Sequence, residues 1–192
     1  ERNLTASWPI ITSNAEGKSG FATMDEIKEI YNAETSWEIV SHTINHPRLA
    51  TITLDDLDNE LHYSKTYLKD YEVDVLVYPY YNYDENVITI AKKYYRAAFA
   101  GSLDENNEPR KNSGSNNLNN INYSDYINKG DNRYLLKRVT ITSGGSIANT
   151  RGTEKQWQKL VDTAQKNDGW LVFCLHDVND DSKVKLESLL KE

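Results

Sequence analysis

Residues 36–47 read SWEIVSHTINHP, an apolar run of strand composition that stops at His42 and is followed by His46 and Pro47. The chain has four histidines, and two of them stand here. Two neutral imidazoles four residues apart on one turn or helix face can grip one divalent cation. Pro47 disfavours the helical conformation at His46, which places the pair on a loop just after a strand and not inside a helix. Exposed loop histidines show the same spacing, so the spacing alone does not decide their role. The surroundings have to.

Working outward, strand-like and helix-like stretches alternate. LTASWPIIT (Leu4 to Thr12) has strand composition, and Pro9 moves it toward a strand end or irregular edge. Thr23 and Glu26 form the T-x-x-E pattern of a capping box, with Met24, Ile27, Ile30 and Tyr31 as an apolar helix face behind it. After WEIVS, Thr53 opens a second helix in which Leu54, Leu57, Leu61, Leu68 and Tyr71 recur at helical spacing. VDVLVYP is the next strand, broken by Pro79. Asp84 caps a helix with Val87, Ile88, Ala91, Tyr94 and Tyr95, and AAFAG reads as a short strand.

A stretch at about 102–132, rich in Asn, Ser and Gly, reads as a long surface loop. Then come RVTIT as a strand, and a helix capped by Thr153 and Gln156 with Trp157, Leu160, Val161 and Ala164 on one face. WLVFCLH follows as a strand, with a closing helix containing Val184, Leu186, Leu189 and Leu190. About five or six strands and five helices are expected, in parallel β/α units, as one domain over residues 1–192. That is too few for a complete eight-unit barrel. The fold class expected is α/β, a partial or distorted (β/α) barrel with mainly parallel strands.

The totals exclude several functions. A net charge of −7 leaves no broad basic surface for a polyanion, so nucleic acid is a poor partner. No apolar segment approaches the roughly 20 residues that cross a bilayer. The single cysteine, Cys174, cannot form an internal disulfide, and its apolar surroundings read as a buried core thiol. His62 falls inside the second helix and reads as a surface residue.

In parallel β/α folds the loops at the carboxyl ends of the strands surround one crevice. Three strand ends carry marked residues here: Ser41, His42 and His46; Tyr78, Pro79 and Tyr80; and Leu175, His176 and Asp177. SHTINHP matches the S-H-T-x-x-H-P metal motif of the polysaccharide deacetylases (NodB homology). VLVYPYYNYDENV resembles their next motif in its Tyr-Pro-Tyr-Gly variant, with Tyr81 where that variant has glycine. WLVFCLHDV is similar to their final Leu-His motif, and YLLKRVTI resembles the stretch that precedes it. The resemblance runs from about Leu4 to Val178.

What the resemblance implies is a carbohydrate esterase that hydrolyses amide carbon–nitrogen bonds, removing acetyl groups from an N-acetylglucosamine-containing cell-wall or exopolysaccharide glycan. It implies a divalent metal, zinc first, with His42 and His46 as two ligands. The Tyr80 backbone N–H faces the developing oxyanion and His176 is the general acid. Leu175 lines the acetyl pocket, and Tyr78 and Pro79 join it in binding substrate. The implied location is extracellular or at the cell surface, within a larger surface or virion protein as one option.

The departures matter as much. The family's first motif, an aspartate pair giving the general base and the third metal ligand, belongs on a strand upstream of the one at Leu4 to Thr12. The third ligand is therefore expected upstream of Glu1, with the amino-terminal strand and helix missing and residues 1–192 alone inactive. Tyr78 also stands where the family has an arginine steadying the base. Asp84 and Asp177 are the nearest substitutes for the missing aspartates. The alternative reading is a non-catalytic glycan-binding or adhesion module. Thirteen tyrosines and four tryptophans are compatible with stacking on sugar rings in either case.

Overall fold

The computed structural model of the chain describes residues 6–33, 37–101, 126–140 and 154–176. The fold is α/β and divides into two compact units, Glu1–Phe99 and Ala100–Glu192. Each is described by itself.

The first unit holds four parallel strands, β1 (Ala6–Ile10), β2 (Trp37–Ser41), β3 (Val75–Val77) and β4 (Ala97–Phe99), in the spatial order β1-β2-β3-β4. Helices α1 (Met24–Asn32), α2 (Leu54–Tyr67) and α3 (Glu85–Tyr94) connect them. Every strand pairs with its sequence neighbour, which is the winding of a (β/α) barrel wall and not the reversing order of a doubly wound sheet. Four strands make an arc of such a barrel, in agreement with the partial barrel expected from the sequence. Pro9 lies inside β1, opposite Val40, on a strand at the end of the sheet order. An end strand is where a missing ladder N–H is tolerated.

The sheet is covered on both faces. Consecutive residues are buried together, Ile39 with Val40, Leu76 with Val77 and Ala98 with Phe99, as in parallel strands flanked by helices. Buried as well are Ile27 of α1, Leu57 and Leu61 of α2, and Val87, Ile90 and Ala91 of α3. Two expected core positions shift. Leu54 is 57% exposed because it opens the first turn of α2, and Ile90 is the buried isoleucine of α3 while Ile88 is only half-buried.

The helix starts follow local chemistry. The Thr23 hydroxyl accepts from Glu26 N–H while the Glu26 carboxylate accepts from Thr23 N–H, a complete capping box. Thr53 caps α2 through Asp56 N–H. Asp84 Oδ1 accepts from Val87 N–H at 2.9 Å, so this carboxylate is committed to starting α3.

In the second unit, β5 (Val139–Thr140) pairs in parallel with β6 (Phe173–Cys174), and α4 (Glu154–Lys166) packs beside them. Val139, Trp157 and Leu160 are the buried centre, with Leu171, Phe173 and Leu175 against it. WLVFCLH thus contributes a shorter strand than its composition suggests. Cys174 corrects the expectation of a buried thiol: it is half-buried, and its Sγ accepts from the Arg138 guanidinium at 3.4 Å. A guanidinium brought in from β5's approach keeps that position from closing as apolar core.

Helix α4 ends in a Schellman motif. Gly169 N–H reaches Ala164 O, Asp168 N–H reaches Gln165 O, and Asp168 takes the left-handed conformation at φ 51°. Gly169 itself is needed for a close approach, since a Cβ there would stand 2.2 Å from Tyr126 Cδ2. Within the stretch read as a loop, Ile127 forms an antiparallel bridge with Trp170. Residues 102–125, the Thr153 cap, Asp177 and the closing helix lie outside the described residues. Among the described residues no helix is long and apolar enough to cross a membrane.

Candidate active site

All four strands of the first unit point their carboxyl ends the same way, so the loops after β1, β2 and β3 meet at one edge. Backbone bonds continue the sheet into those loops: His42 N–H to Ile10 O at 2.9 Å, Thr12 N–H to Thr43 O at 3.2 Å and Ser13 N–H to Ile44 O at 3.1 Å. Tyr78 N–H reaches Phe99 O at 3.0 Å on the other side. The first residue after β2 therefore sits on a rigid ladder.

His42 and His46 come together there. Their Nε2 atoms are 3.0 Å apart and their rings meet edge to face at 4.5 Å. His42 Nδ1 lies 2.7 Å from the Val77 carbonyl. A carbonyl only accepts, so Nδ1 carries the proton and the Nε2 lone pair is left facing His46. Orientation of an imidazole by a backbone carbonyl on its far nitrogen is the usual support of a metal-binding histidine. In a tetrahedral zinc site with Zn–N near 2.1 Å, two nitrogens stand about 3.4 Å apart, so this pair fits two corners. Among the described residues no cluster of three His, Cys, Asp or Glu completes such a site.

The loop is held in an uncommon shape. Thr43 (φ 71°) and His46 (φ 59°) are left-handed, as are Tyr80 (φ 55°) and Tyr81 (φ 54°) in the loop after β3. Left-handed backbone costs a residue with a Cβ about 1–2 kcal/mol, and its concentration on these two loops marks a place where surrounding contacts override local preference. Pro47 does keep His46 out of a helix, but into the left-handed region and not the extended one. The contacts that hold it are non-local. Glu60, on the buried face of α2, accepts from Ile44 N–H (2.9 Å), Asn45 N–H (3.0 Å) and Asn45 Nδ2 (2.7 Å). His46 N–H donates to Thr43 Oγ1 at 3.0 Å.

Beneath lies a polar knot. Ser41 Oγ is 2.7 Å from Ser64 Oγ and 2.9 Å from the Tyr95 hydroxyl, which is also 3.0 Å from Leu61 O; Thr43 N–H donates to Ser41 Oγ at 3.3 Å. Burial pushes the Tyr95 phenol up to about 12, with its bonds to Ser41 and Ser64 pulling the other way. On the loop after β3, Asn82 Oδ1 accepts from Ala50 N–H at 2.7 Å, tying that loop to the end of the histidine loop.

Tyr80 and Tyr78 separate sharply. Tyr80 is 42% exposed, its ring against His46 at 4.5 Å with the Arg48 guanidinium 4.7 Å above it. Tyr78 is fully buried, stacked on Tyr83 at 5.4 Å, and Pro79 is buried beside it. The substrate-binding role expected from the family resemblance for Tyr78 and Pro79 thus falls on two buried residues of that loop. Leu175 is half-buried against the Val139, Trp157 and Leu160 centre of the second unit, and His176 is exposed just past β6.

Sequence reasoning did not single out Glu60, Asn82 or Arg48. Glu60 had a readable signal, because it shares a helix stripe with Leu57, Leu61 and Ser64, and a carboxylate on a buried stripe requires partners.

Comparison with known families matches residues 1–98 to the family described as polysaccharide deacetylase. Among solved structures, a polysaccharide deacetylase from Bacillus cereus is 25% identical with a TM-score of 0.53, over 76% of this chain and 40% of that one. A Bacillus anthracis protein assigned to the polysaccharide deacetylases is 25% identical with a TM-score of 0.51, over 69% of this chain and 35% of that one. A Streptococcus pyogenes deacetylase in complex with acetate is 25% identical with a TM-score of 0.48, over 53% of this chain and 46% of that one. The chain thus spans less than half the length of these relatives. No match is found among curated proteins. With the family matched over half of the sequence, and with the parallel strands wound as a partial barrel, the chain belongs to the polysaccharide deacetylase family.

Proposed function

We propose that the chain is the histidine-bearing part of a metal-dependent N-deacetylase acting on an N-acetylglucosamine-containing cell-wall or exopolysaccharide glycan, at the cell surface or outside the cell. The observation that carries this reading is the 3.0 Å separation of the two Nε2 atoms at the carboxyl edge of the strands. A divalent metal, zinc as first choice, held by His42, His46 and a carboxylate expected upstream of Glu1, supplies Lewis-acid polarisation of the acetyl carbonyl. The remaining roles fall to residues of the chain and to the expected upstream aspartate pair. Val77 O fixes the His42 tautomer. The Tyr80 N–H, which makes no hydrogen bond among the described residues, is the donor toward the carbonyl oxygen as it gains charge. Water adds to the carbonyl carbon, its proton taken by an aspartate of the expected upstream pair, and the carbon–nitrogen bond breaks. The family resemblance gives His176 the role of general acid toward the departing amine and Leu175 a role in the acetyl pocket. The products are acetate and a free amine on the sugar.

A second reading, a non-catalytic glycan-binding module, is favoured by one observation: tyrosine rings are exposed on α2 and on the loop after β3. Exposed Tyr63, Tyr67 and Tyr80 would then serve as sugar-stacking surfaces.

Acetate release from acetylated chitooligosaccharides with added zinc separates the two. Residues 1–192 are expected to show little or none. A longer form of the protein that includes an upstream strand with an aspartate pair should turn over, and His42→Ala in it should stop turnover. An inactive longer form with that pair intact, still retained by glycan, moves the assignment to the binding module.

A further inference from the structure

We propose that Glu60 is a positioning residue for the histidine pair, holding His46 in place through the loop Thr43 to His46; this rests on the metal reading above. The carboxylate is 8% exposed and acceptor-only, and it faces three donors on two consecutive residues. Oε2 takes both main-chain N–H groups of Ile44 and Asn45, and Oε1 takes the Asn45 side-chain amide. Successive N–H groups beside a left-handed residue form a concave anion nest. Here the nest follows Thr43 at φ 71° and is filled by the protein's own side chain.

The consequence is a division of labour. His42 is placed by the sheet, through Ile10 O and Val77 O. His46 has no strand beneath it; its left-handed backbone is set by its N–H bond to Thr43 Oγ1 and by the residues just before it, which Glu60 clamps. Glu60 reaches across from α2, 14 positions beyond His46 in sequence. Releasing the clamp frees the loop to leave its strained conformation, and the 3.0 Å spacing of the two nitrogens goes with it.

The test uses the whole chain and zinc alone, read by competition with a chromophoric chelator, alongside circular dichroism and amide exchange of Ile44 and Asn45. Glu60→Gln is nearly isosteric but sets an amide against the Asn45 amide. It is expected to lower zinc affinity about tenfold and to speed exchange at both amides. Adding Asn45→Asp to Glu60→Gln restores a donor–acceptor pair and should recover most of the affinity, which a merely structural role for Glu60 would not produce. Should Glu60→Gln not fold, Asn45→Ala removes the Oε1 contact alone, and a loss of about threefold supports the proposal. A folded Glu60→Gln chain, or in its place Asn45→Ala, that binds zinc as tightly as wild type overturns it. A His42→Ala chain that binds zinc as well as wild type instead removes the metal reading, and the proposal falls with it.

Discussion

The Nδ1 nitrogen of His42 lies 2.7 Å from the carbonyl oxygen of Val77, so the last residue of β3 sets the protonation of the first residue after β2. A histidine at a strand end is thereby turned into a lone pair of fixed direction, aimed at His46 Nε2. Both imidazoles contribute a nitrogen to the same point. His42→Ala and His46→Ala should therefore each reduce zinc affinity by at least about tenfold, with unfolding free energy changed by less than about 1.5 kcal/mol, because neither ring belongs to the buried core. Calorimetric titration with zinc and urea denaturation check the two halves. Equal affinity in either variant would show that the ion binds elsewhere.

Tyr81 and Tyr80 offer a contrast in backbone strain. Both are left-handed, but Tyr81 is 7% exposed and Tyr80 is 42% exposed. Tyr81→Gly relieves about 1–2 kcal/mol of strain and forfeits about 3–5 kcal/mol of buried ring. The loss wins, and a net destabilisation of about 2–3 kcal/mol is expected. Tyr80→Gly gives up little buried area and should stay within about 1 kcal/mol of wild type. Denaturant midpoints of the two variants, measured side by side, decide it.

Tyr95 makes stability fall at high pH. Its folded pKa, pushed up to about 12 by burial, exceeds the unfolded value near 10. The stabilisation is fully present below pH 10 and is lost as pH rises from 10 through 12, amounting to about 2 kcal/mol. Tyr95→Phe removes this slope and should lower stability at neutral pH by about 1–3 kcal/mol, by leaving Leu61 O and Ser41 without the hydroxyl. Urea midpoints of both proteins between pH 8 and 11 are the measurement. Parallel curves would place the alkaline loss on other tyrosines.

The end of α4 allows an opposite pair of outcomes two and three residues beyond Lys166. Gly169→Ala drives a methyl into the Tyr126 ring and should cost about 1–3 kcal/mol. Asp168→Gly removes a Cβ from a left-handed position and should stabilise by up to about 1 kcal/mol. Thermal melts followed through α4's helical signal distinguish them. A stabilised Gly169→Ala would mean that Tyr126 yields its place freely.

What the sequence determined by itself is what short-range chemistry controls. Thr23 with Glu26, Thr53 with Asp56 and Asp84 with Val87 are contacts three residues apart, so three helix starts were legible without any knowledge of the fold. The β/α alternation, and the placing of His42 at a strand end with His46 on the loop beyond, follow from periodicity and from Pro47 in the same way. The conformation of His46 was not legible. Its proline neighbour favours extended backbone, yet φ is 59°, because Glu60 on another element captures the amides of Ile44 and Asn45. Tyr78 and Tyr80 are chemically identical and two residues apart, and only packing against Tyr83 buries one while Arg48 and His46 flank the other at the surface. Cys174 lies in an apolar run, and the arrival of Arg138 from 36 residues away makes its surroundings polar. In each case the deciding energy comes from a partner distant along the chain, and only the closed fold brings that partner within a hydrogen bond's length.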